Sequence, residues 1–218
     1  MLRIITQSAE INTELQRIGD RPYRDEIQAK EVAVGEILER IKHKGDQGLF
    51  KPFDTLTTPT NLKVSGSDLD AAYQKISKEL LDTIQTASQK LENFYKQQLP
   101  KPWVKFEEDD VVVGKRYIPV QRAGIYVPWD QASPITRVLM QTLPAKIAKV
   151  PEIILVSPPD ETGKVPPDIL VAAQVSGVNQ IYRLGGAQAI AALAYGTQTI
   201  PKVDVITGTG GLDVILAK

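Results

Sequence analysis

The chain contains no cysteine and a single histidine, His43. The first absence removes disulfides, thiolate zinc sites and cysteine nucleophiles. The second removes a histidine-rich metal centre. Charge of one sign is not in excess either: 26 basic residues stand against 26 acidic ones, for a formal net charge of +0. That argues against a nucleic-acid or membrane-surface partner, which would draw on a basic surplus. No apolar run approaches the length of a bilayer span, and the N-terminus lacks the apolar core of a signal peptide. A cytoplasmic location is therefore expected. There is no solenoid-period repeat and no low-complexity tract.

What is present is an ordinary globular composition, 42% hydrophobic and 24% charged over 218 residues. That is enough for one large domain or two small ones. The first hundred residues read as mainly helical. Residues 3–6 could form a short strand. Ser8 is placed to cap a helix through about Ile18. A second helix is predicted over residues 24–43, with Val34, Ile37, Leu38 and Ile41 at helical spacing, and Gly45 ends it. Residues 46–53 add a turn or two. Residues 62–65 look extended, and Ser67 with Asp70 resembles a capping box. Ser77 caps a long helix to about Gln98, with Leu80, Ile84, Ala87, Leu91 and Phe94 in one stripe. His43, in Lys-His-Lys-Gly at a helix end, is best explained as a solvated helix terminus.

The pattern changes after Trp103. Residues 104–107 and 111–118 look like strands joined at the acidic pair Asp109 and Asp110; the carboxylates of residues 107–110 are read as solvated. From Gly124 the chain alternates regularly. Strands are predicted at 125–127, 153–156, 181–184 and 203–207. Helices begin at Ser133–Pro134, at Pro166–Pro167, after the Gly185–Gly186 pair and at Leu212. Pro144 inside the first of these should kink it or split it in two. The alternation indicates an α/β fold: a Rossmann-like parallel sheet with flanking helices, preceded by a mainly helical N-terminal region. The division expected is a helical N-terminal region over 1–120, forming an incomplete first Rossmann-like domain, and a second Rossmann-like α/β domain over 121–218.

Residues 184–197, LGGAQAIAALAYGT, are the most informative stretch. They read as a strand end, a tight glycine turn and a buried helix closed by Gly196. The helix start leaves backbone N–H groups for an anion, and Gln188 is a polar side chain in its first turn. Gln188 could reach a ligand or cap the helix, and on spacing alone the second reading is favoured. Ligands of such sheets bind beyond the carboxyl ends of the strands. Those ends carry residues 126–130, 157–160, 185–188 and 208–211, so the glycine clusters fall where a nucleotide would sit.

These residues resemble a known family. AGIYVP at 123–128, VLM with LPAKIAKV at 138–150, LVSPP at 155–159, GGAQAIAALAYGT at 185–197 and IPKVD at 200–204 are similar to histidinol dehydrogenase, as is VSGSDLDAAYQKISKELLDTIQ at 64–85. The resemblance implies an NAD-dependent oxidoreductase of histidine biosynthesis that converts L-histidinol to L-histidine through an aldehyde. It also implies a zinc-containing homodimer built on two Rossmann-like domains, acting on a small molecule. Tyr126 and Gln188 match positions that contact the dinucleotide. Gly211 stands where the family's Gly-Pro-Gly-Asn has its Asn, a further dinucleotide contact.

The departures carry their own expectations. Trp129 and Asp130 replace the family's glycine pair after AGIYVP, placing bulk and negative charge near a pyrophosphate. NAD binding is therefore expected to be weakened or lost. The zinc ligands, the substrate contacts and a Glu-His acid–base pair belong to a part of the family's chain beyond these 218 residues, so no catalytic residue and no metal ligand is assigned and inactivity of the chain alone is expected. The segment that completes the first domain is likewise beyond them. The apolar stripes of helices within residues 8–98 should then be exposed, favouring a homo-oligomer or association with a full-length relative. The alternatives are a nucleotide-binding or interaction module, or a non-functional remnant.

Overall fold

A computed structural model describes residues 4–19, 24–50, 62–128 and 134–218. Trp129, Asp130 and the expected cap Ser133 lie outside the described residues, as do residues 51–53 of the turn or two expected over 46–53. Four parallel strands form the centre: β3 (Arg122–Tyr126), β4 (Glu152–Ser157), β5 (Gln180–Arg183) and β6 (Val205–Gly208), in the order β5-β4-β3-β6. A separate antiparallel hairpin, β1 (Trp103–Phe106) with β2 (Val112–Lys115), precedes them. Its turn is made by Asp109 and Asp110 at φ 65° and 59°, a left-handed conformation that Asp tolerates better than most residues. The second strand ends at Lys115 rather than continuing to Ile118. Residues 4–7 form no strand.

Strand residues alternate between two cores because successive side chains point to opposite faces. Ile125, Ile153, Leu155 and Ile181 face α6 (Pro134–Ile147) and α7 (Pro167–Val175). Tyr126, Ile154, Val156 and Tyr182 face α8 (Gly186–Tyr195). Helix α8 is apolar almost all round, since α2 (Arg24–Lys44) covers the side away from the sheet. The short α3 (Asp46–Leu49) is docked by the Asp46 carboxylate, which accepts from the Thr199 hydroxyl at 2.6 Å. The first helix, α1 (Ser8–Gly19), spans the expected residues, with Ser8 inside it rather than as its cap.

On the other face, α4 (Gly66–Lys75) packs on α7, and α5 (Lys78–Lys96) packs on α6. For α4 and α5 this corrects the expectation of exposed stripes, whereas Ile11 and Leu15 of α1 are exposed as expected. Leu80, Ile84, Ala87 and Leu91 of α5 belong to the core, and only Phe94 of that stripe is exposed. Helices α4 and α5 find their partners in the neighbouring helix layer rather than in additional strands.

Two local expectations are also corrected. The capping box of α4 is Ser65 with Asp68, not Ser67 with Asp70. Residues 62–64 are tied to β5 by Val64 N–H to the Ile181 carbonyl and Arg183 N–H to the Leu62 carbonyl. Ser65 is therefore the first residue able to leave the extended path, and it becomes the cap. Ser67 instead meets the Ser65 hydroxyl at 2.8 Å. Pro144 does not split α6, which runs as one element from Pro134 to Ile147. Proline at 144 supplies no N–H for the Met140 carbonyl four residues earlier. The Tyr95 hydroxyl, from α5, donates to that carbonyl at 3.3 Å.

Candidate functional site

The chain lays down β3, β4 and β5 in one direction and then returns to place β6 on the other side of β3. In an open α/β sheet the crevice for a ligand opens at that reversal, beyond the carboxyl ends of the two strands. Here those ends are Tyr126–Pro128 and residues 208–211. The approach of the two is close. Gly208 has φ 134°, and a methyl group on it would lie 2.2 Å from the Tyr126 carbonyl oxygen. Only glycine permits this contact. The loop is held from two further directions. The Lys218 ammonium donates to the Gly208 carbonyl, and Arg137 in the first turn of α6 donates to the Thr209 hydroxyl at 3.3 Å. Burial lowers the Lys218 pKa below the usual lysine value, because removing the ammonium from water disfavours its charged form.

The third wall is the start of α8. Gly186, at φ 62°, makes the turn from β5 into the helix. The Tyr126 hydroxyl accepts a hydrogen bond from the Gly186 N–H at 3.1 Å. One of the helix's open N-terminal donors is thus met by a side chain from β3. A methyl group on Gly186 would lie 3.0 Å from Gln188 Oε1 and 3.0 Å from Asp213 Oδ2. Asp213 sits in the first turn of α9 (Leu212–Ala217), whose N-cap is Gly211. Its other carboxylate oxygen lies 3.1 Å from the methyl position on Gly211.

Tyr126, Gln188 and Gly211, carried over from the family resemblance, therefore surround one crevice. Tyr126 touches the Gly186 backbone, Gln188 flanks it, and Asp213 links it to Gly211. Asp213 is absent from the sequence reading, as are Lys218 and Arg137. Nothing local marks them: Asp213 looks like an acidic residue in a helix start, and only the order β5-β4-β3-β6 brings it to Gly186. His43 pairs with Glu39 at 3.2 Å on an exposed helix end, away from any such crevice. Among the described residues no group of three or more His, Asp or Glu side chains could hold a metal ion. The described residues thus do not fit a zinc site.

A second charged cluster lies where β5 meets α4. The Arg183 guanidinium, with 7% of its side chain exposed, contacts Asp68 and donates to the Lys63 carbonyl at 3.1 Å. Burial pushes the Asp68 pKa up, but the Ser65 hydroxyl and amide and the Arg183 charge outweigh it and hold the carboxyl below its ordinary value. Nearby, burial together with the charges of Glu152 and Asp46 pushes Tyr182 up to about 12. Its phenol stays protonated and donates to Gln180 Oε1 at 2.6 Å, with the Thr199 carbonyl oxygen 3.1 Å away. These contacts join the extended segment 62–65 and the 197–200 turn to the sheet and are structural.

Comparison with known proteins places the chain. Residues 20–218 match the family described as histidinol dehydrogenase. Histidinol dehydrogenase 2 of Trichormus variabilis is 54% identical, over all of this chain and 51% of its own. Histidinol dehydrogenase of Thermosynechococcus vestitus is 52% identical, again over all of this chain and 52% of its own. The chain thus spans about half the length of these curated relatives. The crystal structure of histidinol dehydrogenase from Elizabethkingia anophelis superposes with a TM-score of 0.80 at 36% identity, covering 85% of this chain and 43% of that one. No described helix is long and apolar enough to cross a membrane. With residues 20–218 matched by the family, in a parallel α/β fold shared with that solved structure, the chain belongs to the histidinol dehydrogenase family.

Proposed function

We propose that these 218 residues form the dinucleotide-binding part of a histidinol dehydrogenase, taking NAD into the crevice between β3 and β6. Tyr126, Gln188 and Gly211 line that crevice and are its contacts to the cofactor. The observation that carries this reading is the meeting of the Tyr126 hydroxyl with the Gly186 N–H at the reversal of strand order. Bound NAD would supply a hydride acceptor for oxidation of L-histidinol to L-histidine. This chain's residues would position it: the close-packed Gly208 turn leaves backbone exposed to the ligand, and Tyr126 fixes the start of α8. Acid–base chemistry and zinc binding belong to the portion of the relatives' length that these residues do not span, so catalysis needs that portion, in the same chain or from a partner. On this reading residues 1–120 contribute the helical part of a first domain and residues 121–218 the second, in a cytoplasmic, oligomeric enzyme.

Calorimetric titration of the 218-residue chain with NAD tests the proposal. Saturable binding that weakens in Gln188→Ala is expected. A folded, monodisperse chain that takes up no NAD refutes it. A second reading, an interaction module, draws on the hairpin, where Trp103, Val104, Phe106, Val112 and Val113 are all exposed. A solution mass above that of the monomer, with no NAD binding, would favour it.

A further inference from the structure

Two polar side chains in the crevice have no partner among the described residues. Asp213 makes no ion pair or side-chain hydrogen bond, and neither does the Gln188 side chain. Both are partly buried, and both place an oxygen 3.0 Å from the point a methyl group on Gly186 would occupy. They come from different helices, α8 and α9, that meet only because β6 returns beside β3. An acidic residue in a helix's first turn is stabilised by the helix dipole wherever its side chain points. The dipole of α9 therefore explains the charge of Asp213 but not its aim at the turn that opens α8.

We propose that Asp213 and Gln188 form the hydroxyl-recognition pair of this crevice, holding the vicinal diol of a ribose. The inference rests on the dinucleotide reading above and names the part of the ligand that meets this wall. An ionised carboxylate only accepts hydrogen bonds, and its two oxygens can take two hydroxyl hydrogens side by side. Gln188 adds a carbonyl acceptor and an amide donor next to it. A phosphate at the same spot would meet the Asp213 charge and be repelled. Within a dinucleotide the neutral groups that donate hydrogen bonds are the ribose hydroxyls and the base amines. Of these, two adjacent hydroxyls match the two oxygens of one carboxylate. The cations nearby serve the loop itself: Lys218 holds the Gly208 carbonyl and Arg137 reaches Thr209. The pyrophosphate is then expected toward Gly208 and Thr209, away from Asp213, with the diol toward Gly186.

The test is calorimetric titration of the wild-type chain, Asp213→Asn and Asp213→Ala with NAD and, separately, with inorganic pyrophosphate. Circular dichroism and a thermal melt establish that each variant is folded. Losing a hydrogen bond to a charged group should weaken NAD binding about tenfold in Asp213→Ala. The loss should be smaller in Asp213→Asn, which keeps one acceptor oxygen. Pyrophosphate affinity should stay unchanged or rise in both. NAD affinity in Asp213→Ala that equals or exceeds the wild-type value overturns the inference and makes Asp213 neutral or repulsive toward the ligand, leaving the dinucleotide reading intact. A wild-type chain that binds no NAD removes the dinucleotide reading itself, and the diol assignment with it.

Discussion

Replacing Arg183 by Met isolates the contact that ties the N-terminal helices to the sheet. In the wild-type chain Nη2 contacts Asp68 in the capping box of α4, and Nη1 donates to the Lys63 carbonyl at 3.1 Å. Methionine keeps the buried stem and removes every donor. Breaking a fully buried ion pair by deleting one partner costs about 3–5 kcal/mol. Arg183 is that deeply buried, but 29% of the Asp68 side chain is exposed, and Ser65 still donates to its carboxylate through N–H and hydroxyl. Partial hydration places the cost at the lower end, about 3 kcal/mol with the orphaned Lys63 carbonyl included. For a chain of this size that corresponds to a melting temperature lower by roughly 6–12 °C. Differential scanning calorimetry reads it directly. The double variant with Asp68→Asn should recover part of the loss, because the two residues act as one unit. A melting temperature within about 2 °C of wild type would refute the reasoning, since losses below 1 kcal/mol belong to exposed pairs.

The same carboxylate gives a pH dependence with a fixed sign. The Asp68 pKa is lowered from 3.8, so its contribution is present above the unfolded value and lost as pH falls through the folded one. The stability gap between wild type and Asp68→Asn should therefore hold from neutral pH to about pH 5 and close below about pH 4. Chemical denaturation at stepped pH checks this, and a gap that widens on acidification would contradict it. At the α5–α6 contact, Tyr95→Phe should cost about 0.5–1 kcal/mol by leaving the Met140 carbonyl without its donor. The cost should shrink in a Pro144→Ala background, where an amide is restored. Equal costs in the two backgrounds, measured by thermal melts, would mean that the hydroxyl does not stand in for the missing N–H.

The regular part of the fold was legible because it is written locally. Apolar runs of strand length, the Ser77 cap, the Pro166–Pro167 start and the Gly196 stop are short-range signals, and all stand where the sequence put them. The misplaced capping box shows the limit. Within residues 65–70 the pattern Ser-x-x-Asp occurs twice, from Ser65 and from Ser67, and local chemistry favours neither. The choice is made by the pairing of residues 62–64 with β5, more than a hundred residues away. Pro144 is a similar case, because the group that replaces its missing N–H comes from Tyr95 on another helix. Of the site, Gln188 could be singled out from its position in an apolar helix start, while Tyr126 and Gly211 came only from the family resemblance. Asp213 was invisible to both, since its relation to Gly186 exists only once β6 is paired with β3.

That pairing also bears on what this chain can do by itself. The crevice has four walls, β3, β6, α8 and α9, and each is backed by core drawn from the described residues. Tyr126, Leu193, Val203 and Val214 are buried together beneath it, and α2 covers α8 and α9 from outside. Apolar surface is uncovered elsewhere: on both strands of the hairpin and at the β6 edge, where Val205 is exposed. The hairpin strands pack chiefly on each other, so a partner that covers them need not alter the crevice. The association proposed through the hairpin and the dinucleotide binding proposed for the crevice therefore make separable demands on the molecule. A chain that oligomerises through the hairpin can still hold the Tyr126–Gly186 contact, and its affinity for NAD then reports on the crevice rather than on assembly.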